Sequence, residues 1–171
     1  MDHRIGRPGT HRGDDLRWWR QQSPIGDLTV LVGDEGVRRI VLGPYQFFDV
    51  DAAPGRDDEV AAELDEHFAG RRRHFTVPVD LSTVAAPFHR SVLETLRREV
   101  PWGETVAYGE LAVMAGRPGA ARAAGSACGA NPVPILVPCH RVVAASGIGG
   151  YGPAGLGTKR ALLAVEGVEV G

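Results

Sequence analysis

The stretch Asn131-Pro132-Val133-Pro134-Ile135-Leu136-Val137-Pro138-Cys139-His140-Arg141-Val142-Val143 constrains this chain more than any other. An apolar run is pinned by three prolines, each fixing its own φ and removing a backbone donor, and it ends at a cysteine followed directly by a histidine. The chain holds only two cysteines, Cys128 and Cys139, which is too few for a disulfide framework or a four-cysteine metal cage. An unpaired cysteine is often a small buried hydrophobe. The Cys-His dipeptide alone therefore leaves a structural and a chemical role both open.

Length and composition narrow the classes. At 171 residues, 43% apolar and 23% charged, the chain is a globular protein of one ordinary or two small domains. No apolar run approaches the roughly 20 residues needed to cross a bilayer, so no membrane partner is expected. The N-terminus, rich in Arg and His, does not resemble a secretory signal. Two cysteines without an export signal point to a reducing, cytoplasmic setting. The net charge of −2 conceals a split: residues 1–87 carry 11 Lys+Arg against 15 Asp+Glu, and residues 88–171 carry 8 against 6. A nucleic-acid surface would belong in the second half.

In chain order, residues 1–17 are polar and read as a disordered extension. Residues 18–81 read as an α+β unit. Leu28 to Val32 and Val37 to Leu42 form a hairpin across the turn Gly33-Asp34-Glu35-Gly36. Asp49 to Asp58 reads as a loop. Val60, Leu64 and Phe68 at i, i+4, i+8 predict a helix over Glu59–Phe68, ended by Gly70. Arg71-Arg72-Arg73 is more simply a solvated cap on that helix than a nucleic-acid contact. Phe75 to Leu81 reads as an edge or linking strand because of Pro78.

Residues 82–87 read as a linker, and 88–171 as a mainly helical unit. Phe88, Val92, Leu96 and Val100 recur at helical spacing until Pro101. Tyr108 to Ala115 is a short helix closed by Gly116, and Pro118 suits the first turn of a second helix, Gly119 to about Cys128. Two short helices, the second nearly bare of bulk, suggest a helix-turn-helix, although an ordinary helical hairpin has the same pattern. Arg122 would stand free on that bare helix. The fold class is thus α+β: a small N-terminal unit with an antiparallel sheet, then a mainly helical unit containing a helix-turn-helix.

The second half resembles the O6-alkylguanine-DNA alkyltransferases, the methylated-DNA–protein-cysteine methyltransferase family. The residues that carry the resemblance are Pro101 through Ala112, Ala120-Ala121-Arg122-Ala123, Asn131 through Val143, and the tail Gly149-Gly150-Tyr151, Gly155-Leu156, Lys159, Leu162-Leu163, Glu166-Gly167. The first half matches more loosely, through Pro24 to Leu28 and Phe68-Ala69-Gly70. The family implies irreversible transfer of an alkyl group from O6-alkylguanine in double-stranded DNA to Cys139, with O4-alkylthymine a second candidate. It implies a relay of Glu166, His140 and water to Cys139, with Asn131 tying recognition helix to active-site loop and Tyr108 stabilising guanine as it leaves. Arg122 fills the vacated base stack, and Tyr108, Gly109, Arg117 and Ala121 are further DNA contacts. Cys128, Pro134, Val142, Gly150 and Tyr151 would line the alkyl pocket. A monomer without cofactor or metal is expected, since zinc in some relatives needs N-terminal cysteines that are missing from this sequence.

The chemistry can be argued beside the resemblance. A thiol of ordinary pKa is only a few per cent thiolate at neutral pH and needs an activator. Adjacent side chains on an extended chain face opposite ways, so a water between Cys139 and His140 is expected. A thioether has no acyl carbon for water to attack, so the protein would be consumed in one turnover. Two departures stand out. Gly150-Tyr151-Gly152-Pro153-Ala154-Gly155-Leu156 carries one residue more after the tyrosine than the family's Gly-Tyr-x-Gly-Gly-Leu, and Cys128 stands where many relatives have a larger apolar residue. Three alternatives remain: a lesion-binding alkyltransferase-like protein without transfer, a cysteine hydrolase using Cys139, His140 and Glu166, and a helix-turn-helix regulator.

Overall fold

The computed structural model describes residues 15–171. The expected extension over 1–17 lies outside the described residues except for its end, where Leu16 already starts a strand. That strand, β1 (Leu16–Gln21), lies inside a four-stranded sheet of order β3-β2-β1-β4. It pairs antiparallel with β2 (Leu28–Gly33) and parallel with the short β4 (Ala52–Pro54), both ends of which fall in the stretch the sequence marked as a loop. β2 and β3 (Gly36–Leu42) make the expected hairpin.

Side-chain chemistry explains the inner face of β1. Trp19 and Gln21 point inward: the Trp19 indole donates to Gln21 Oε1 at 3.0 Å. The Gln21 amide donates in turn to Ala61 O at 2.9 Å and Asp65 Oδ1 at 2.8 Å on α1 (Asp58–Phe68), so a polar side chain fastens sheet to helix with both donors satisfied. Asp57 caps α1 by accepting from Val60 N at 3.1 Å. The expected strand over Phe75 to Leu81 shrinks to one parallel bridge, Val37 with Val79. Pro78 offers only its carbonyl, which accepts from Val37 N at 2.9 Å.

That close approach makes Gly36 indispensable. Its φ is +125°, and a Cβ there would run into the Pro78 carbonyl. Gly36→Ala combines strained backbone with a clash against backbone. It is expected to lower unfolding free energy by about 2–3 kcal/mol, read as a lower urea midpoint at unchanged m-value.

The second half follows the helical periodicity. α2 (Pro87–Glu99) begins on Pro87 and buries Val92, Leu93 and Leu96. α3 (Tyr108–Met114) and α4 (Ala121–Gly129) form the helix-turn-helix. Pro118 is not in the first turn of α4, as the sequence suggested. It occupies the second position of a tight turn closed by Ala120 N donating to Arg117 O at 3.2 Å, with Gly119 at φ +80° in the third. Pro-Gly in those places makes a type II turn, which postpones the helix to Ala121. The chain ends in α5 (Gly155–Val165). Two short parallel strands, β5 (Val106–Ala107) and β6 (Val142–Val143), join the start of α3 to the segment that follows Cys139. Buried apolar side chains form one cluster from Trp19 and Val30 through Leu64 and Leu96 to Leu111, Val133 and Leu162, so sheet and helices share a core. Ile40 N of β3 donates to Pro132 O at 2.9 Å, fastening the sheet to the proline-rich stretch itself.

Candidate active site

Between Asn131 and Cys139 the chain makes a tight reversal. Asn131 holds it from inside: its amide donates to Val137 O at 2.9 Å, and its side-chain oxygen accepts from Val133 N at 3.0 Å. Val137 N closes the loop onto Val133 O at 3.0 Å. At the apex Ile135 adopts φ +77°, a conformation that a β-branched side chain takes only under constraint from its surroundings. The loop is therefore held, and Asn131 is a chief holder.

Cys139 does not continue an extended chain. Cys139–Arg141 is a single 3-10 turn, with Arg141 N donating to Pro138 O at 2.9 Å. Cys139 lines a pocket of about 340 Å³, whereas His140 and Arg141 converge on Glu166 at the C-cap of α5. Within the described residues no direct hydrogen bond joins Cys139 Sγ to His140; its side-chain neighbour is the Tyr151 hydroxyl at 4.0 Å.

His140 is fully buried and its Nε2 lies 3.2 Å from Glu166 Oε1. A carboxylate can only accept, so Nε2 carries the proton and Nδ1 keeps its lone pair. Nδ1 has no protein partner. Burial pushes His140 below its ordinary pKa against the pull of Glu166, leaving a neutral imidazole able to take a proton. Burial alone would raise the Glu166 carboxyl, but hydrogen bonds from His140 and Arg141, with their charges, hold it at about 2. Arg141 grips both carboxylate oxygens, Nε at 3.0 Å from each and Nη2 at 2.5 Å from Oε1, while Nη1 donates to Val100 O at 2.7 Å.

Burial also raises the Cys139 thiol, opposed by hydrogen bonds from Asn131 and Tyr151 and by the charge of Lys159. At rest it is a thiol beside a base rather than a standing thiolate. Lys159, fully buried on α5, donates to Val142 O at 2.6 Å, Ile148 O at 2.7 Å and Gly150 O at 3.0 Å. It thereby closes the 142–150 loop over the pocket.

Of the expected pocket residues, Cys128, Pro134, Gly150 and Tyr151 line it, joined by Tyr108, Asn131 and Pro153. Val142 does not. It is fully buried in β6 opposite Val106, so its side chain belongs to the core and only its carbonyl serves the site. The additional residue after Tyr151 is absorbed by a 3-10 turn over Gly152–Ala154 before α5 begins. On the helix-turn-helix, Arg122 is exposed and its side chain pairs with no described residue. Gly109 is exposed on the first turn of α3 and Ala121 opens α4. Arg117 is not free, since its guanidinium lies 4.3 Å over the Phe88 ring.

Sequence reading counted Arg141 and Lys159 among the residues that carry the resemblance but gave neither a place in the site, although both had a signal. Arg141 directly follows His140, and Lys159 is the single lysine among 19 cationic residues.

His67 of α1 backs onto this site. Its ring stacks on Phe75 at 5.0 Å and meets Trp102 edge-on at 5.0 Å, and its Nε2 is buried without a partner. Burial, with His140 and Arg141 adding repulsion and Glu166 opposing, pushes its pKa from 6.5 down to about 4. Below pH 6.5 the unfolded chain takes up a proton that the folded chain refuses until about pH 4, so stability falls as pH drops through that window. His67→Phe is expected to flatten this part of the stability–pH curve and, by removing an unpaired buried nitrogen, to raise stability near pH 5 by about 1–3 kcal/mol. Urea midpoints of both proteins across that range provide the measurement.

Among the described residues no group of His, Cys, Asp and Glu could hold a metal ion, and no helix is long and apolar enough to cross a membrane. Comparison with known proteins agrees with the geometry. The sequence profile of the 6-O-methylguanine DNA methyltransferase, DNA binding domain, matches residues 87–168. A Mycobacterium tuberculosis methylated-DNA–protein-cysteine methyltransferase is 42% identical over 150 residues, covering 84% of this chain and 88% of that protein. One from Saccharolobus islandicus is 39% identical over 153 residues, covering 87% and 94%. The crystal structure of Mycobacterium tuberculosis OGT in complex with DNA superposes with a TM-score of 0.80 at 38% identity, covering 88% of this chain and 93% of that one. With the cysteine pocket, the buried His140–Glu166 pair and relatives matched over nearly their whole length, this chain belongs to the methylated-DNA–protein-cysteine methyltransferase family.

Proposed function

We propose that this protein repairs DNA by direct reversal, moving the alkyl group of an O6-alkylguanine in duplex DNA onto Cys139 Sγ, once per molecule. One observation carries the reading: a cysteine in a small pocket is followed by a buried histidine whose Nε2 faces a carboxylate and whose Nδ1 has no hydrogen-bond partner among the described residues.

The steps balance as follows. The Cys139 proton passes through a water to His140 Nδ1. Sγ bonds to the alkyl carbon as that carbon's bond to O6 breaks, and the electron pair stays with the guanine. A proton then neutralises the guanine, so the net proton has moved from thiol to base. Glu166 holds the imidazole in the required tautomer and steadies the imidazolium. Tyr108, which packs beside Gly125 and Gly149 at the pocket wall, is placed to stabilise the leaving base. The O6 atom is out of reach inside a base stack, so the nucleotide must be turned out at a cost of a few kcal/mol. The pocket volume of about 340 Å³ is in the range of small-molecule sites. Arg122, exposed and unpaired on the Ala/Gly-rich α4, would occupy the gap left in the duplex. DNA would also meet Gly109, Ala121 and, through a rigid stacked side chain, Arg117. The protein would act as a monomer in the cytoplasm, where both thiols stay reduced.

Incubation with excess duplex containing O6-methylguanine is expected to add one methyl group to the peptide bearing Cys139 and never more than one per protein. Repeated turnover would favour the hydrolase, and tight lesion binding with no adduct the alkyltransferase-like reading. Either result would overturn this assignment.

A further inference from the structure

A second cleft, of about 1190 Å³, shares no lining residue with the Cys139 pocket. Its walls are the 73–82 segment, one face of α2, the 100–102 turn and the outer side of the loop before Cys139 (Ile135, Leu136 and Pro138), with Arg141 beside them. On α2, Arg90, Glu94 and Arg97 stand at i, i+4 and i+7, hence on one side of the helix, with Arg98 beside them. Arg73 adds a fifth guanidinium, of which Arg141 is held by Glu166 and Arg98 pairs with Glu99 at 3.1 Å.

The other three, Arg73, Arg90 and Arg97, are poorly compensated among the described residues. Arg97 donates only to Val77 O at 2.8 Å, and Arg90 only to Val84 O at 2.8 Å, with its Nε buried and unpartnered. Arg73 pairs with no described residue. None of the three has a carboxylate at ion-pair distance; Glu63 acts on Arg97 only from farther away, and burial lowers the Arg97 pKa. Unpaired guanidiniums gathered in a concavity favour an anion that accepts in forks, which is the geometry of phosphate. Phe75 and Trp102 line the same cleft and offer a planar ligand aromatic surface. The cleft is half open, and no residue of α3 or α4 lines it, so it lies apart from the helix-turn-helix and has the concavity of a small-molecule site.

We propose that this cleft binds a nucleoside diphosphate or triphosphate, with phosphates on Arg73, Arg90, Arg97 and Arg98 and the base against Phe75 and Trp102. Titration of the full-length protein with ADP at low ionic strength, followed by calorimetry, tests it. Saturable binding is expected, with adenosine at least about tenfold weaker and the Arg73→Gln/Arg98→Gln double variant weakened about tenfold, a difference of about 1.4 kcal/mol. Both substituted side chains are exposed, so the variant should fold and transfer methyl groups normally. Undamaged duplex should not displace the nucleotide, and protein already methylated on Cys139 should bind it equally well. No saturation at millimolar ADP, unchanged affinity in the double variant, or displacement by duplex would each overturn the proposal. Methyl transfer is read separately, so failure here leaves the repair reading untouched.

Discussion

Cys139→Ala is expected to abolish alkyl transfer outright while leaving binding to the damaged duplex intact. The prediction is sharp because a second thiol lines the same pocket. Cys128, on α4, is close enough for Cys139 to act on it electrostatically, so proximity alone does not disqualify it. Its chemistry does. Burial first, and the neighbouring thiol second, push Cys128 up to about 12, leaving on the order of one thiolate in 10⁵ at neutral pH. No described histidine or carboxylate hydrogen-bonds to it. Cys139 is raised by burial too and Lys159 lowers both thiols, but only Cys139 has Asn131 and Tyr151 working against its burial and a neutral imidazole with a free lone pair as the next residue. The two sulfurs of this pocket thus differ in having, or lacking, an imidazole as the next residue, and the prediction rests on that difference. Peptide mapping after exposure to O6-methylguanine duplex should find no methyl group anywhere in Cys139→Ala, while gel shifts remain as for the parent protein. A methyl group on Cys128 would refute the distinction.

Much of the candidate site's geometry was readable in sequence because several of the residues that build it lie close along the chain. Asn131, Cys139 and His140 fall within ten positions of one another, and the prolines between them mark a segment that cannot settle into helix or central strand. The helices were readable for a similar reason, since Val60 and Leu64, or Val92 and Leu96, state their buried face at a spacing of four. β1 gave no such signal. Its inward residues are Trp19 and Gln21, and the glutamine earns its place only through carbonyl and carboxylate acceptors on α1, forty or more positions away. β4 is three residues long and exists because β1 has a free edge for it. Over Phe75 to Leu81 the opposite happened: strand-like residues are present, but Pro78 cannot sustain a ladder. In the candidate site, Arg141 and Lys159 were given no role from sequence because their partners are two buried oxygens of Glu166 in one case and three backbone carbonyls in the other. Carbonyl acceptors leave no trace in sequence. Val142 was misplaced by one level of structure: its side chain went to the core, and its carbonyl to Lys159.

Lys159→Met should show how much the loop over the pocket depends on that ammonium. Methionine matches the length of the stem and keeps its packing, so the change isolates the head group. Three carbonyls, of Val142, Ile148 and Gly150, the first two of them buried, would lose their donor at once. Each unmet buried acceptor costs about 1–3 kcal/mol, part of which the loop can recover by opening to water. A net loss of about 3 kcal/mol is therefore expected, lowering Tm by about 6–12 °C for a chain of this size. Lys159→Arg should not rescue it, because a planar fork cannot aim at three carbonyls arranged around a point charge. Function should suffer beyond stability. Gly150 and Tyr151 line the pocket, so an opened loop unseats the hydroxyl beside Cys139 Sγ. The positive charge that helps hold the Cys139 thiol down would also be gone, shifting the transfer-rate profile towards higher pH. Single-turnover rates across the pH range, measured well below the lowered Tm, separate these two effects from simple unfolding. If the variant unfolds at the same temperature and transfers at the parent's rate, the ammonium is not what closes the loop.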